Sequence, residues 1–211
     1  MVETATMSVE EFGRTADVSR ETLARFEAYE DLLQHWQKRI NLVSRNTLAD
    51  IWRRHFLDSL QLGPLVIASG ASGLALDMGS GAGFPGLVLA IAGDTPFVLA
   101  ESDSRKCAFL REARRVTDAP AEIYEGRVEA MEAGPGYSTI IARALAPVPK
   151  LLELAKPLLR PDGTCLFMKG AQVEDELAAA VPDWTMDVTK HQSVADPRGV
   201  ILEIRKPDRV L

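Results

Sequence analysis

The sequence predicts an α/β fold in which a mostly parallel seven-stranded sheet ends in an antiparallel hairpin, with a helical segment ahead of it. Three observations predict it. The apolar run Leu74, Ala75, Leu76 passes through an acid, Asp77, into four glycines, Gly79, Gly81, Gly83 and Gly86, which is the order strand, loop, helix. From there, runs of strand length alternate with runs of helical period, as in a parallel sheet covered by helices on both faces. The final two strand-like runs, near 184–191 and 199–205, meet across the turn Asp196, Pro197, Arg198, Gly199 with no helix between them, so they read as a hairpin.

Each element has its own signal. Ser8, Val9, Glu10, Glu11 form a capping-box pattern that starts a short helix, which Gly13 is expected to stop. Phe26, Tyr29, Leu33, Trp36 and Ile40 recur at helical spacing and predict a packing stripe on a helix that begins near Ser19. A third helix is expected over 47–62, with Leu48, Ile51 or Trp52, His55 or Phe56, and Leu60 inward and with Arg53 and Arg54 pointing elsewhere. His55 reads as a hydrogen-bonded packing residue. The stretch S-G-A-S-G at 69–73 reads as a linker, dividing a helical segment, 1–68, from the domain that carries the sheet, 69–211. In that domain strands are expected at 74–78, 97–101, 121–125, 138–142 and 163–168, and helices at 85–92, 104–116, 127–132, 148–159 and 172–180.

Composition bounds the function. A chain of 211 residues, 46% hydrophobic and 26% charged, can bury one good core. No apolar run approaches the roughly 20 residues of a membrane span, and the acidic N-terminus lacks the order of a signal peptide, so a cytoplasmic, membrane-free protein, read as a monomer, is expected. Cys107 and Cys165 have no C-x-x-C spacing, and His35, His55 and His191 are scattered, which predicts no metal site. The net charge of −6 argues against indiscriminate nucleic-acid binding. Two local basic patches remain: Lys38, Arg39, Arg45, Arg53 and Arg54, and then Arg105, Lys106, Arg111, Arg114 and Arg115. Solvated helix faces explain them equally well.

Open parallel sheets bind ligands at the carboxyl ends of their strands. Residues 81–86 satisfy the dinucleotide pattern G-x-G-x-x-G, but four residues then separate it from the strand. In the other register, 77–83 is D-x-G-x-G-x-G. A carboxylate at Asp77 would repel phosphates and suits a ligand with an ammonium and a sulfonium, which is S-adenosylmethionine. Asp77, Gly79, Ser80, Gly81 and Gly83 are then cofactor-binding candidates. Glu101 ends the second strand about twenty residues on, where an acid accepts ribose hydroxyls in nicotinamide and S-adenosylmethionine enzymes alike. After the third strand comes Gly126, Arg127, Val128, Glu129, where a backbone amide and Glu129 can face an adenine. Arg143 and Lys169 leave the fourth and fifth strands as cations, and Arg143 needs an anion or carbonyl partner. A structural salt bridge would also supply one.

Six stretches in order, N-L-V-S-R-N-T (41–47), R-R-H-F-L-D-S-L (53–60), L-D-M-G-S-G-A-G-F-P-G (76–86), G-R-V-E (126–129), A-R-A-L-A (142–146) and F-M-K-G (167–170), resemble the RsmG/GidB family over residues 22–206. The resemblance implies a Rossmann-like class I S-adenosylmethionine-dependent methyltransferase acting on N7 of a guanine in 16S ribosomal RNA, naked or in the small subunit. It implies that Gly79 and Phe84 line the cofactor pocket, that Val128 and Glu129 lie near the adenine, and that Arg143 is at the site. Glu101 stands where the family often has Asp, and Met78 where smaller β-branched residues are common. The chain has no N/D-P-P-Y/F loop after the fourth strand and no cysteine placed as a nucleophile. Guanine N7 needs neither, because its lone pair is free. No catalytic acid or base is therefore assigned, and Arg143, Lys169, Arg53 and Arg54 are expected to orient the guanine and its phosphates. The competing readings are a methyltransferase for another substrate, a nicotinamide oxidoreductase, and a non-catalytic ribosome-assembly module.

Overall fold

The computed structural model describes residues 6–69, 73–93, 95–132 and 134–210. Its sheet has seven strands in the order β3-β2-β1-β4-β5-β7-β6: β1 Ala75–Met78, β2 Phe97–Glu101, β3 Ala121–Glu125, β4 Tyr137–Arg143, β5 Leu159–Lys169, β6 Trp184–Gln192 and β7 Val200–Arg209. The first five are parallel. β7 runs antiparallel to both β5 and β6, so the predicted mixed sheet and closing hairpin are present. Because the chain runs outward from β1 to β3 and then returns to β4 beside β1, a crevice opens at the carboxyl ends of β1 and β4. That switch point carries the site.

Helices cover both faces. On one lie α1 Val9–Ala16, α2 Arg20–Gln37, α6 Gly86–Ala92 and α7 Ser104–Thr117, and on the other α8 Val148–Ala155 and α9 Val173–Ala180. Burial follows the expected stripe, since Phe26, Tyr29 and Leu33 of α2 are fully buried. Phe26 and Tyr29 join Phe12, Trp52, Phe56, Phe84 and Phe109 in one aromatic cluster, where each favourable ring pair adds about 0.5–1.5 kcal/mol beyond its buried area. Arg25 fastens α2 to the domain by donating to the carbonyls of Thr117, Ile91 and Asp118.

Several boundaries differ from the sequence expectation, each for a local reason. α1 continues through Gly13 to Ala16 and stops at Asp17, whose φ of 49° is left-handed, while Gly13 gives room to a Leu23 methyl. The single helix expected over 47–62 is broken into α3 Arg45–Leu48, a π-helical segment Trp52–Leu57 and α4 Asp58–Leu60, followed by α5 Gly63–Ala68. The wider π turn lets Trp52, His55 and Phe56 all turn inward, and such insertions recur at functional sites. α6 begins at Gly86, with Pro85 as its cap. α8 ends at Ala155 instead of 159 because Lys156 precedes a proline, which disfavours helical geometry. β5 correspondingly starts earlier, at Leu159. The linker expectation at 69–73 falls mostly on 70–72, outside the described residues.

Candidate active site

The glycine loop leaves β1 over a buried acid. Asp77 is wholly inaccessible. Its Oδ2 accepts the Gly86 N–H at 3.0 Å, while its Oδ1 has no partner among the described residues. A β-carbon on Gly86 would lie 2.7 Å from that carboxylate, so only glycine admits the contact. Burial pushes the Asp77 carboxyl up to about 7. Asp77, expected as a cofactor-binding candidate, thus sits beneath the loop and outside the cavity walls. Ser80 donates back to the Asp77 carbonyl, Gly83 lies against the Tyr29 hydroxyl, and that hydroxyl donates to the Ala82 carbonyl. Phe84, also buried, stacks on Tyr29 with centroids 5.5 Å apart. Ser80, Gly83 and Phe84 therefore support the loop from behind, without lining the cleft.

The loop's outer side borders a cavity of about 300 Å³ that includes Gly79, Gly81, Glu101, Val128, Glu129 and Leu145 in its wall. Here five of the expected cofactor residues come together. Gly81 has φ +58°, and a β-carbon there would meet no protein atom closer than 3.9 Å, so the backbone is laid bare to the cavity. Glu101 is anchored by Oε1, which accepts the Ser102 and Asp103 N–H groups at 2.7 and 2.8 Å, while Oε2 reaches the Gly81 N–H at 3.0 Å.

Beyond Ala144, which borders both, lies a second cavity of about 540 Å³ with Asp58, Arg143, Lys169, Glu176, Ser193 and Asp196 in its wall. Arg143 is its organising cation. One terminal nitrogen donates to His55 Nδ1 at 2.8 Å; the other approaches the Arg54 carbonyl at 3.4 Å and Asp58 Oδ2 at 3.5 Å. Its guanidinium also lies 5.3 Å over the Phe84 ring. Since a guanidinium can only donate, His55 Nδ1 must accept, so His55 is neutral and donates from Nε2 to Thr47 Oγ1 at 2.8 Å. Burial first, then the charges of Arg143 and Arg54, push His55 down to about 3. The expectation of a hydrogen-bonded packing histidine holds, but sequence reasoning missed that it holds Arg143. It also missed Asp58; the stretch R-R-H-F-L-D-S-L, already singled out, was the available signal.

Lys169 is nearly buried, 2.5 Å from Glu176 Oε2 and bonded to the Ala146 carbonyl. Arg54 reaches Asp196 Oδ2 at 2.9 Å, beside the same cavity. Arg53 points away toward Asp50 and Glu11, so the pair expected to act as one patch is divided. On α7, Arg105, Arg111 and Arg115 pair with Asp103, Glu125 and Glu112, the pattern of a solvated helix face. Among the described residues no cluster could hold a metal ion, and no helix is long and apolar enough to cross a membrane.

His55 and Asp77 set opposed pH dependences. His55 falls from 6.5 to about 3 on folding, so the stability it contributes is complete above pH 6.5 and is lost as pH falls toward 3. Asp77 rises from 3.8 to about 7, so its contribution is complete below pH 3.8 and is lost as pH rises through 7. Between pH 4 and 6.5 the two slopes, each at most about 1.4 kcal/mol per pH unit, oppose one another. Denaturant titrations at pH 4.5, 5.5 and 6.5 are expected to show stability rising with pH in Asp77→Asn and falling with pH in His55→Gln, relative to the wild type. Parallel curves for all three proteins would refute the assignment.

The profile of the GidB family, described as rRNA small subunit methyltransferase G, matches residues 22–203. The ribosomal RNA small subunit methyltransferase G of Paramagnetospirillum magneticum is 50% identical over 203 residues, covering 96% of this chain and 98% of that protein. Its counterpart in Rhodospirillum centenum is 51% identical over 194 residues, 92% and 88% of the two chains. Among solved structures, the Bacillus cereus O-methyltransferase in complex with SAH superposes with a TM-score of 0.64 at 16% identity, covering 98% of this chain and 100% of that one. A ribosomal protein L11 methylase from Lactobacillus delbrueckii gives 0.56 at 17% identity, with 70% and 78% covered. These two likenesses establish the fold, the Rossmann-like sheet of class I methyltransferases.

Proposed function

The chain belongs to the rRNA small subunit methyltransferase G family, and on that premise we propose that it methylates N7 of one guanine in 16S ribosomal RNA, using S-adenosylmethionine. The observation that carries this reading is the pair of cavities meeting at Ala144, one built like a nucleoside cleft and the other lined by the cations Arg143, Lys169 and Arg198 together with the carboxylates Asp58, Glu176 and Asp196. The residues fit the cofactor: Gly81 leaves open space over its backbone, Glu101 presents an anchored carboxylate for a ribose diol, Val128 and Glu129 border the adenine end, and Asp77, buried beneath the loop, holds its shape through the Gly86 N–H. When bound, the cofactor supplies an electrophilic methyl group on a sulfonium.

The protein's own task is positioning. Guanine N7 presents its lone pair without deprotonation, so no general base is called for, and His55 behind the cavity wall has both ring nitrogens engaged. Rate enhancement then comes from alignment, with Arg143 and Lys169 on the base-side wall and Arg54 beside it. Arg53 contributes only at a distance, through the surface of the helical segment. Residues 1–68 act as a helical buttress on the domain of 69–211, and the enzyme works as a cytoplasmic monomer. The test is transfer of a labelled methyl group to small subunits and to naked ribosomal RNA lacking the mark, followed by N7-specific strand cleavage. One labelled guanine is expected, and cofactor binding with no transfer to any RNA would overturn the ribosomal assignment.

A further inference from the structure

The larger cavity holds three carboxylates, and their partners separate them. Glu176 is neutralised by Lys169 at 2.5 Å and also accepts the Val148 N–H. Asp196 spends Oδ2 on Arg54 and Oδ1 on the Arg198 N–H. Asp58 differs. Its Oδ1 is fixed by Gln61 Nε2 at 2.7 Å and Ser193 Oγ at 3.1 Å, but among the described residues its Oδ2 has only the Arg143 contact, at 3.5 Å, from a guanidinium already committed to His55. One carboxylate oxygen is thus held rigidly while the other keeps unused acceptor capacity in the cavity wall.

We propose that Asp58 reads the target base, its Oδ2 accepting from the N1–H and N2 amino group of the guanine. The inference rests on the guanine-N7 reading above and deepens it. Enzymes that act on a nucleobase recognise it by hydrogen bonds along its Watson–Crick edge. In guanine that edge bears donors at N1 and N2, which an acid can accept, and it lies opposite N7, so an acid gripping it leaves the nucleophile exposed. Adenine presents an acceptor at N1 and is refused by the same oxygen, whose charge would face a lone pair.

The carboxylate also fits the charge movement. As methyl transfers, the carbon–sulfur bond breaks with its electron pair left on sulfur, the N7 lone pair forms the new carbon–nitrogen bond, and the positive charge passes to the purine. An anion bonded to the far edge of that purine is held more tightly as the charge arrives, so its effect falls on kcat more than on KM. Ser193 and Gln61, by fixing Oδ1, are the positioning residues for this contact.

The experiment pairs the full-length chain and its Asp58→Asn variant with target RNA carrying either guanosine or inosine at the modified position, inosine lacking only the N2 amino group. Wild type is expected to lose about 30-fold in kcat on inosine, within the range of one well-formed base contact. Asp58→Asn, which replaces one acceptor by a donor, is expected to lose about 100-fold on guanosine and to show no further penalty on inosine, with RNA affinity weakened in the same non-additive pattern and cofactor affinity unchanged. An inosine penalty of full size in the variant overturns the proposal. Should Asp58→Asn fail to fold, Ser193→Ala, which removes one of the two donors that fix Oδ1 and keeps the charge, is expected to lose about 5-fold on guanosine and to shrink the inosine penalty, and an undiminished penalty there is equally fatal. Wild type that methylates no guanosine RNA overturns the underlying guanine reading, and this assignment with it.

Discussion

Gly81→Val is expected to weaken S-adenosylmethionine binding by at least about 100-fold, a loss of about 2.7 kcal/mol, while leaving a folded protein. Two effects combine at this residue. Its φ of +58° is closed to a β-branched side chain, and the open space above its backbone, bare of protein atoms within 3.9 Å, is where the ligand would lie. The first effect costs roughly 1–2 kcal/mol of stability, a few degrees in Tm for a chain of this size; the second acts on the ligand alone. Gly134→Val separates them, because Gly134 also has a positive φ, +48°, with nothing within 4 Å, but precedes β4 at the end of the sheet opposite the cleft. The control is expected to lose the same stability and to keep its affinity. Equal affinities for both variants in a calorimetric titration would refute the cofactor site.

Arg143→Lys is expected to lower kcat/KM by about 100-fold or more, at nearly unchanged cofactor affinity. The guanidinium spans His55 Nδ1, the Arg54 carbonyl and Asp58 Oδ2 at once while lying over Phe84. A compact ammonium cannot bridge them, so the charge survives and the geometry does not. His55 Nδ1 and Asp58 would be left underpartnered, costing about 1–3 kcal/mol, which thermal denaturation can check. The result also decides between two roles for this residue. Arg143 borders the larger cavity and not the smaller, so on the function proposed above its effect is expected on the RNA substrate. A large loss of cofactor affinity with intact RNA binding would return it to the cofactor.

Local signals carried the fold a long way. Strand length, helical period and the glycine loop are properties of neighbouring residues, and they were enough for the mixed seven-stranded sheet and its closing hairpin. They also pointed to Gly79, Gly81, Glu101 and Glu129 in the wall of the smaller cavity, because parallel strands deliver their carboxyl ends to one edge, whereas Val128 in the same wall came only from the family resemblance. The helical segment was read less well. A π-helical turn at Trp52–Leu57 has no periodic signature of its own, and packing against Phe12, Phe26 and Phe84 determines which residues turn inward.

By itself, then, the sequence determined the class of fold, the position of the ligand-cradling loop and the residue types at the strand ends. Tertiary structure alone decided which way those residues face and whom they meet: that Asp77, Ser80, Gly83 and Phe84 stand behind the loop, that Arg53 and Arg54 part company, and that Arg143 finds His55 from 88 positions away. The physical reason is that backbone preference and burial period act over a few residues. The orientation of a buried polar side chain is settled by the partner that offsets its desolvation, and here that partner comes from a distant part of the chain.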